Sequence, residues 1–117
     1  MAQRRSIKLT YEEEGVPFTT PEDAWVWYSR CQRARDEGAR YVAGLGAVVR
    51  PCAPDDIARE VRRLYRHRIL RGAHLRVLVR FGCDSGVAIG GDQIAGRLWR
   101  EALDRLEAPL RAKGIIA

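Results

Sequence analysis

The sequence contains few cysteines, almost no lysine and no long apolar segment, and these shortages exclude several classes of protein. No run approaches the roughly 18 apolar residues that a membrane-spanning helix needs, and residues 1–5, Met-Ala-Gln-Arg-Arg, lack the apolar stretch of a signal peptide. Cys31, Cys52 and Cys83 are widely spaced and form no Cys-x-x-Cys pair, which argues against a disulfide scaffold and a structural zinc site. We therefore expect a cytoplasmic protein with no metal, no other cofactor and no membrane partner.

The composition that remains is typical of one small domain. The chain has 117 residues, of which 46% are hydrophobic and 31% charged, and single domains cluster near this length. Residues 1–18 include an acidic triplet, Gly15 and Pro17, and show little periodicity. We predict an N-terminal arm over 1–18 and a single helical domain over 19–117.

Helix start and stop signals predict a mainly α fold, a compact domain of four helices. Thr20 and Pro21 are typical of a first helix start and Gly38 of its end, while Pro54 and Asp92 suit the starts of two later helices. The predicted helices cover about 20–38, 54–67, 73–81 and 92–113.

Two segments have less decisive patterns. Between Gly72 and Gly82 the apolar residues alternate with arginines, as in a strand, and we prefer a short buried helix there because of the two flanking glycines. Residues 41–49 resemble two short extended pieces on either side of Gly44 and Gly46, which indicates a short β-hairpin.

In the first helix the apolar stripe predicts which side chains face the core. At 100° per residue Trp25 falls outside the arc of the other apolar residues, among polar neighbours. Trp25 therefore either packs under the N-terminal arm or is an exposed aromatic that contacts a partner. The residues on the arc itself are Ala24, Trp27, Tyr28, Cys31 and Ala34.

Positive charge is concentrated in one segment. The chain has 21 Lys and Arg against 15 Asp and Glu, a net charge of +6, and 19 of the 21 are Arg. From Arg59 to Arg80 there are eight Arg and one acid, Glu60, so this segment carries +7 and the rest of the chain −1. A localised basic segment is typical of a protein that binds a polyanion, although an arginine-rich chain also fits a merely solvated surface.

The second helix places four arginines, Arg59, Arg62, Arg63 and Arg66, on one face, at i, i+3, i+4 and i+7. We predict that no acidic side chain of the helix neutralises this row. On the last helix, by contrast, Arg97 and Arg100 are among the residues that have an opposite charge four positions away, so we expect that face to neutralise itself. The candidate residues for binding nucleic acid or an acidic partner are Arg59, Arg62, Arg63, Arg66, Arg71, Arg76 and Arg80, with Trp25 and Tyr65 as candidate contact aromatics.

Helix, turn and helix over 54–81 resemble a helix-turn-helix motif, in which the second helix reads bases. Here only His74, Arg76 and Arg80 are expected to be exposed on that second helix, and it has no Asn, Gln, Ser or Thr to read base edges. Backbone or shape binding is therefore favoured over sequence reading.

No set of catalytic residues emerges. His67 and His74 do not share a helical face as metal ligands, and the segment 86–91, rich in glycine before a helix, has neither a Gly-Lys-Ser/Thr sequence nor a Gly-x-Gly-x-x-Gly sequence. We interpret that segment as a connector and predict that the protein is not an enzyme.

Four short motifs are similar to those of a family of small bacterial proteins that has no assigned function. The likeness spans roughly residues 25–117 and implies a shared fold and a bacterial source. The motifs are Arg50-Pro51-Cys52-Ala53-Pro54-Asp55-Asp56, Leu64-Tyr65-Arg66-His67-Arg68, Leu98-Trp99-Arg100-Glu101-Ala102 and Lys113-Gly114-Ile115.

These observations favour a non-enzymatic, nucleic-acid-associated accessory or regulatory protein that binds the phosphate backbone through an arginine-rich helix face. The alternative is a protein-interaction module, such as an adaptor or a mobile-element inhibitor of a nuclease or defence complex. In that case the arginines and Trp25 would contact an acidic protein surface.

Overall fold

The computed structural model describes residues 15–38 and 48–117. Four α-helices follow one another in these residues, and two 3₁₀ turns, Gly82–Asp84 and Val87–Ile89, connect the last two helices. The mainly α fold is confirmed. Residues 1–14 of the predicted arm and 41–47 of the predicted hairpin lie outside the described residues. The helices are α1 (Pro21–Asp36), α2 (Pro54–Arg66), α3 (Gly72–Phe81) and α4 (Gln93–Ala112).

Two helices begin at the predicted capping residues. The Asp23 N–H donates to Oγ1 of Thr20 at 3.1 Å at the start of α1, and the Ala95 N–H donates to Oδ1 of Asp92 at 3.0 Å at the start of α4. Each bond satisfies one of the backbone donors that a helix start leaves without an intrahelical acceptor. α4 continues through Pro109 to Ala112 without a break.

The longest helix, α4, is the element on which the other three helices pack. Its inward face is apolar along its whole length, as the sequence pattern predicts. The opposing side chains of α2, Ile57, Val61 and Leu64, are buried as well. Among the described residues, no helix combines the length and apolar character needed to cross a lipid bilayer. The buried residues of α4 are Ala95, Trp99, Ala102, Leu103, Leu106 and Leu110.

The described end of the predicted arm is joined to the C-terminal residues. The Phe18 N–H donates to the Ile115 carbonyl, and the Ala117 N–H donates to the Phe18 carbonyl, each at 2.9 Å. The Phe18 side chain is buried and packs on the ring of Trp27, with 5.3 Å between ring centroids. Trp27 therefore packs against the core, as its place on the apolar arc predicts, through its contact with Phe18.

Trp25 is a core residue, so its interpretation as an exposed contact aromatic is wrong. The side chain is 4% exposed, and its Nε1–H donates to the Leu78 carbonyl at 2.8 Å. The apolar arc of α1 did not predict the burial of Trp25 because α1 is covered on two sides. α2 and α4 cover one side, and the turn Gly82–Asp84 covers another. Gly82 permits this second contact, since a Cβ there would lie 2.8 Å from Nε1 of Trp25.

We expect Trp25→Ala to lower the free energy of unfolding by about 3 to 5 kcal/mol, because it removes a large buried ring and orphans the Leu78 carbonyl. Urea unfolding followed by circular dichroism measures this change. Tyr65→Ala is the control, since Tyr65 is 49% exposed and should cost less than about 1 kcal/mol. Equal losses in the two variants would contradict the core assignment of Trp25.

Candidate functional site

The exposed face of α2 carries the predicted row of arginines, but two of the four are neutralised, and the prediction of an unneutralised row is wrong. Nη1 of Arg59 lies 2.7 Å from Oδ1 of Asp56, one helical turn earlier. The other oxygen of Asp56 accepts the Ala53 N–H at 2.9 Å. Donation from this N–H, followed by the contribution of Arg59, holds the pKa of Asp56 below its ordinary value.

Glu60 neutralises the second arginine from a buried position. Its side chain is 2% exposed, and its Oε1 accepts hydrogen bonds from Nε and Nη2 of Arg63 at 3.1 and 2.9 Å. Its Oε2 lies 3.2 Å from Nζ of Lys113, just beyond α4. Desolvation by burial raises the pKa of Glu60, but the bonds from Arg63 and Lys113 together outweigh it, so the net pKa is lowered.

Once these pairs are set aside, six arginines of the basic segment remain exposed and without an ion pair in the described part of the chain. We call them the unpaired arginines. Two lie on α2, two in the turn that follows, and two on α3. They are Arg62, Arg66, Arg68, Arg71, Arg76 and Arg80.

On α3 the exposed side includes Arg76, Val79 and Arg80, with Val79 73% exposed. The guanidinium carbon of Arg80 lies 5.4 Å from the centroid of the Phe81 ring, within range of a cation–π interaction. Arg76 and Arg80 border a groove of about 370 Å³ between α3 and α4, whose lining includes Leu98. The two guanidinium groups therefore stand at the edge of a partly apolar groove.

His74, expected to be exposed on α3, is fully buried, and this expectation is wrong. Its Nδ1 accepts the Arg71 N–H at 3.0 Å, which completes the start of α3. Its Nε2 lies 3.0 Å from Oε1 of Glu101 on α4. The helical period, rather than the strand-like alternation, sets which α3 residues are inside, and His74 falls on the same face as Val77 and Leu78.

The self-neutralisation expected for α4 is largely absent. Among the described residues, the i, i+4 pair between Glu107 and Arg111 forms, at 2.9 Å. The pairs that the same spacing predicts for Arg97 with Glu101, Arg100 with Asp104 and Glu101 with Arg105 do not form. Glu101 instead pairs with His74, whose hydrogen bond lowers the pKa of Glu101. Arg97 and Arg100 are therefore two further exposed, unpaired arginines that the sequence pattern missed.

The two candidate contact aromatics differ in their exposure to solvent. Trp25 is buried and is unavailable to a partner, whereas Tyr65 is half exposed on α2, next in sequence to Arg66. Tyr65 thus remains a candidate contact residue beside the unpaired arginines. Within residues 15–38 and 48–117, no three His, Cys, Asp or Glu side chains are grouped to hold a metal ion.

Comparison of the chain with protein-family models, with curated proteins and with solved structures gives no match. The similarity to a small bacterial family stays a prediction that depends on the quoted motifs alone.

We expect Glu60→Gln to lower the free energy of unfolding at pH 7 by about 1.5 kcal/mol, the low end for a charged hydrogen-bonded group, because Arg63 and Lys113 still reach solvent. Since the folded pKa of Glu60 is lowered, its stabilisation is complete above the ordinary value of about 4.3 and is lost as the pH falls through the folded pKa. Urea unfolding of both proteins at pH 7 and at about pH 3 should therefore show a difference that shrinks in acid.

Glu107→Gln is the matched control, because the side chain of Glu107 is 44% exposed and its carboxylate forms a surface pair with Arg111. It should change stability by less than about 1 kcal/mol at either pH. A Glu60→Gln difference that is the same at both pH values would show that the lowered pKa does not stabilise the fold.

Proposed function

We propose that the protein is a non-enzymatic, nucleic-acid-associated accessory or regulatory protein that binds the phosphate backbone. The single observation that supports the proposal most is the set of six unpaired arginines. They lie in a segment, residues 61–83, that contains no Asp or Glu at all. A cytoplasmic location follows from this proposal, because nucleic acids are found there.

The chemistry of arginine favours phosphate as the bound group. A guanidinium presents a planar fork that can donate two parallel hydrogen bonds to one phosphate. Arg62 and Arg66 stand one turn apart on α2, and like charges at this spacing repel each other by a few tenths of a kcal/mol. An anionic partner that lies across both side chains removes this repulsion and releases counterions on binding.

The exposed side chains of α3 favour backbone contacts over base reading. Arg76, Val79 and Arg80 offer no amide or hydroxyl group, and His74 is buried against Glu101. Arginine alone can pair with guanine, but a recognition helix normally combines several kinds of polar side chain to specify a site. Comparable affinity across sequences is therefore the expected behaviour.

A second candidate function is protein binding, and the groove between α3 and α4 is the observation that favours it. Val77, Phe81 and Leu98 contribute apolar surface to this groove, and Arg76 and Arg80 border it. An acidic amphipathic segment of another protein fits such a combination. In this version the protein is an adaptor or a mobile-element inhibitor of a nuclease or defence complex, and Trp25 takes no part because it is buried.

We expect purified protein to bind fluorescently labelled duplex DNA, single-stranded DNA or RNA with a steep dependence on salt, measured by fluorescence anisotropy. Six phosphate contacts would give a slope of log K against log salt of about −5 for duplex DNA. Arg62→Glu combined with Arg66→Glu should abolish binding, because two of the six contacts become repulsive.

The control is Arg33→Glu combined with Arg35→Glu. It changes the net charge by the same amount as the first double variant, and both residues are exposed in the last turn of α1. It should retain most of the affinity, and thermal unfolding should show that both double variants are folded. Absence of binding by the native protein at low salt, or equal losses in the two double variants, would refute the nucleic-acid proposal and leave the acidic protein partner.

A further inference from the structure

The end of α2 and the turn after it contain five consecutive exposed residues, 65–69. Their sequence is Tyr-Arg-His-Arg-Ile. The side chain of Tyr65 is 49% exposed and that of Ile69 is 43% exposed. An aromatic ring and an aliphatic side chain therefore lie in water beside the unpaired arginines of this stretch.

Arg68, in the middle of the turn, has a backbone conformation that favours glycine. Its φ angle is +63°, in the left-handed region, where the Cβ of an L-residue is crowded by the backbone. The turn is a Schellman motif, because the Ile69 N–H donates to the Leu64 carbonyl at 2.9 Å and the Arg68 N–H donates to the Tyr65 carbonyl at 3.0 Å. Glycine is the usual residue at the position of Arg68 in this motif.

The same position after α1 and after α4 is occupied by glycine. Gly38 follows the last capping residue of α1 with a φ of +70°, and Gly114 follows that of α4 with a φ of +75°. Arg68 therefore costs the fold conformational energy that glycine would avoid, and its side chain forms no ion pair within the described residues. A side chain that the fold does not use, at a position that is unfavourable for it, points to a contact with a partner.

Tyr65 lies between two of the unpaired arginines. It is three residues after Arg62 on α2, a spacing that places two side chains on the same face one turn apart, and its carbonyl accepts the Arg68 N–H. An exposed ring among guanidinium groups suits a nucleobase, because any base can stack on an aromatic ring while the arginines bind the adjacent phosphates. In a duplex the base faces are already stacked on each other, and freeing one costs energy.

We propose that the end of α2 and the turn after it bind an unpaired nucleic-acid strand, with one base stacked on Tyr65 and the adjacent phosphates bound by Arg62 and Arg68. This inference rests on the nucleic-acid binding proposed above and adds to it a preference for single strands over duplexes. Stacking tolerates any base, which agrees with the comparable affinity expected across sequences.

Fluorescence anisotropy with a labelled DNA of about 12 nucleotides, alone and annealed to its complement, tests the inference. The native protein should bind the single strand more tightly than the duplex. Tyr65→Ala should weaken binding to the single strand by at least about fivefold and binding to the duplex by less than about twofold, because the stacking contact alone is lost. Tyr65→Phe, which keeps the ring, should retain the preference. Ile94→Ala is the control, since it removes a 68% exposed apolar side chain outside the basic segment and should change neither affinity.

Arg68→Gly tests the contribution of the turn. Glycine relieves the left-handed backbone, so the temperature of thermal unfolding should rise by about 2 to 4 °C. Affinity for the single strand should fall by at least about twofold, and the slope of log K against log salt should become shallower by about 0.7, as expected for one lost phosphate contact. Gly114→Arg is the matched control, because it places an arginine at the corresponding position after α4. It should lower the unfolding temperature without strengthening binding.

The outcomes separate this inference from the function on which it rests. Absence of binding to either DNA at low salt would refute the proposed function and this inference with it. Binding by the native protein that is as tight or tighter for the duplex, or equal losses for the two DNAs in Tyr65→Ala, would overturn this inference alone. An Arg68→Gly protein that is less stable than the native protein, or that binds the single strand equally well, would overturn the role of Arg68.

Discussion

The two hydrogen bonds of the buried His74 imidazole fix the position of α3 and thereby decide which residues of the basic segment face outward. Because Nδ1 accepts the Arg71 N–H, the ring proton must be on Nε2, where it donates to Glu101 of α4. The Arg105 guanidinium lies beside the same nitrogen and donates to the Ile69 carbonyl in the turn before α3. His74 thus joins the start of α3 to α4, and Arg105 of α4 joins the preceding turn to them. With His74 held inward, the helical period directs Arg76 and other residues of the opposite face to the outside.

Ion pairing then divides the arginines of α2 into two groups with different consequences. Asp56 and Glu60 each lie three residues before an arginine, Arg59 and Arg63, and each carboxylate pairs with it. Burial of Glu60 makes its pair part of the packing between α2 and the end of α4, because Lys113 binds the other oxygen. The arginines that carry the unbalanced charge are therefore those without an acid three positions earlier. A basic patch on α2 is accordingly smaller than its arginine count suggests, and it extends instead along the turn and onto α3.

Local patterns were enough to predict the four helices, because caps, prolines and apolar periodicity act within a few residues. They did not suffice for Trp25, since a helix with two neighbours buries residues outside its main apolar arc, and the second neighbour is a glycine-containing turn far along the chain. The same limit applies to the candidate site. The i, i+3 spacing of Asp56 and Arg59 is present in the sequence, and it predicts that pair as well as an i, i+4 spacing would. The pairing of Glu101 with His74, which leaves Arg97 without its expected partner, depends on how α3 packs on α4 and is not encoded in any spacing.

The groove bordered by Arg76 and Arg80 lies next to a second depression, at the start of α4, since Ile89 and Asp92 line both. The connector between α3 and α4 therefore forms part of the wall of both. Its docking on α1, through Arg30 donating to the Cys83 carbonyl at 2.9 Å, holds the start of that connector in place.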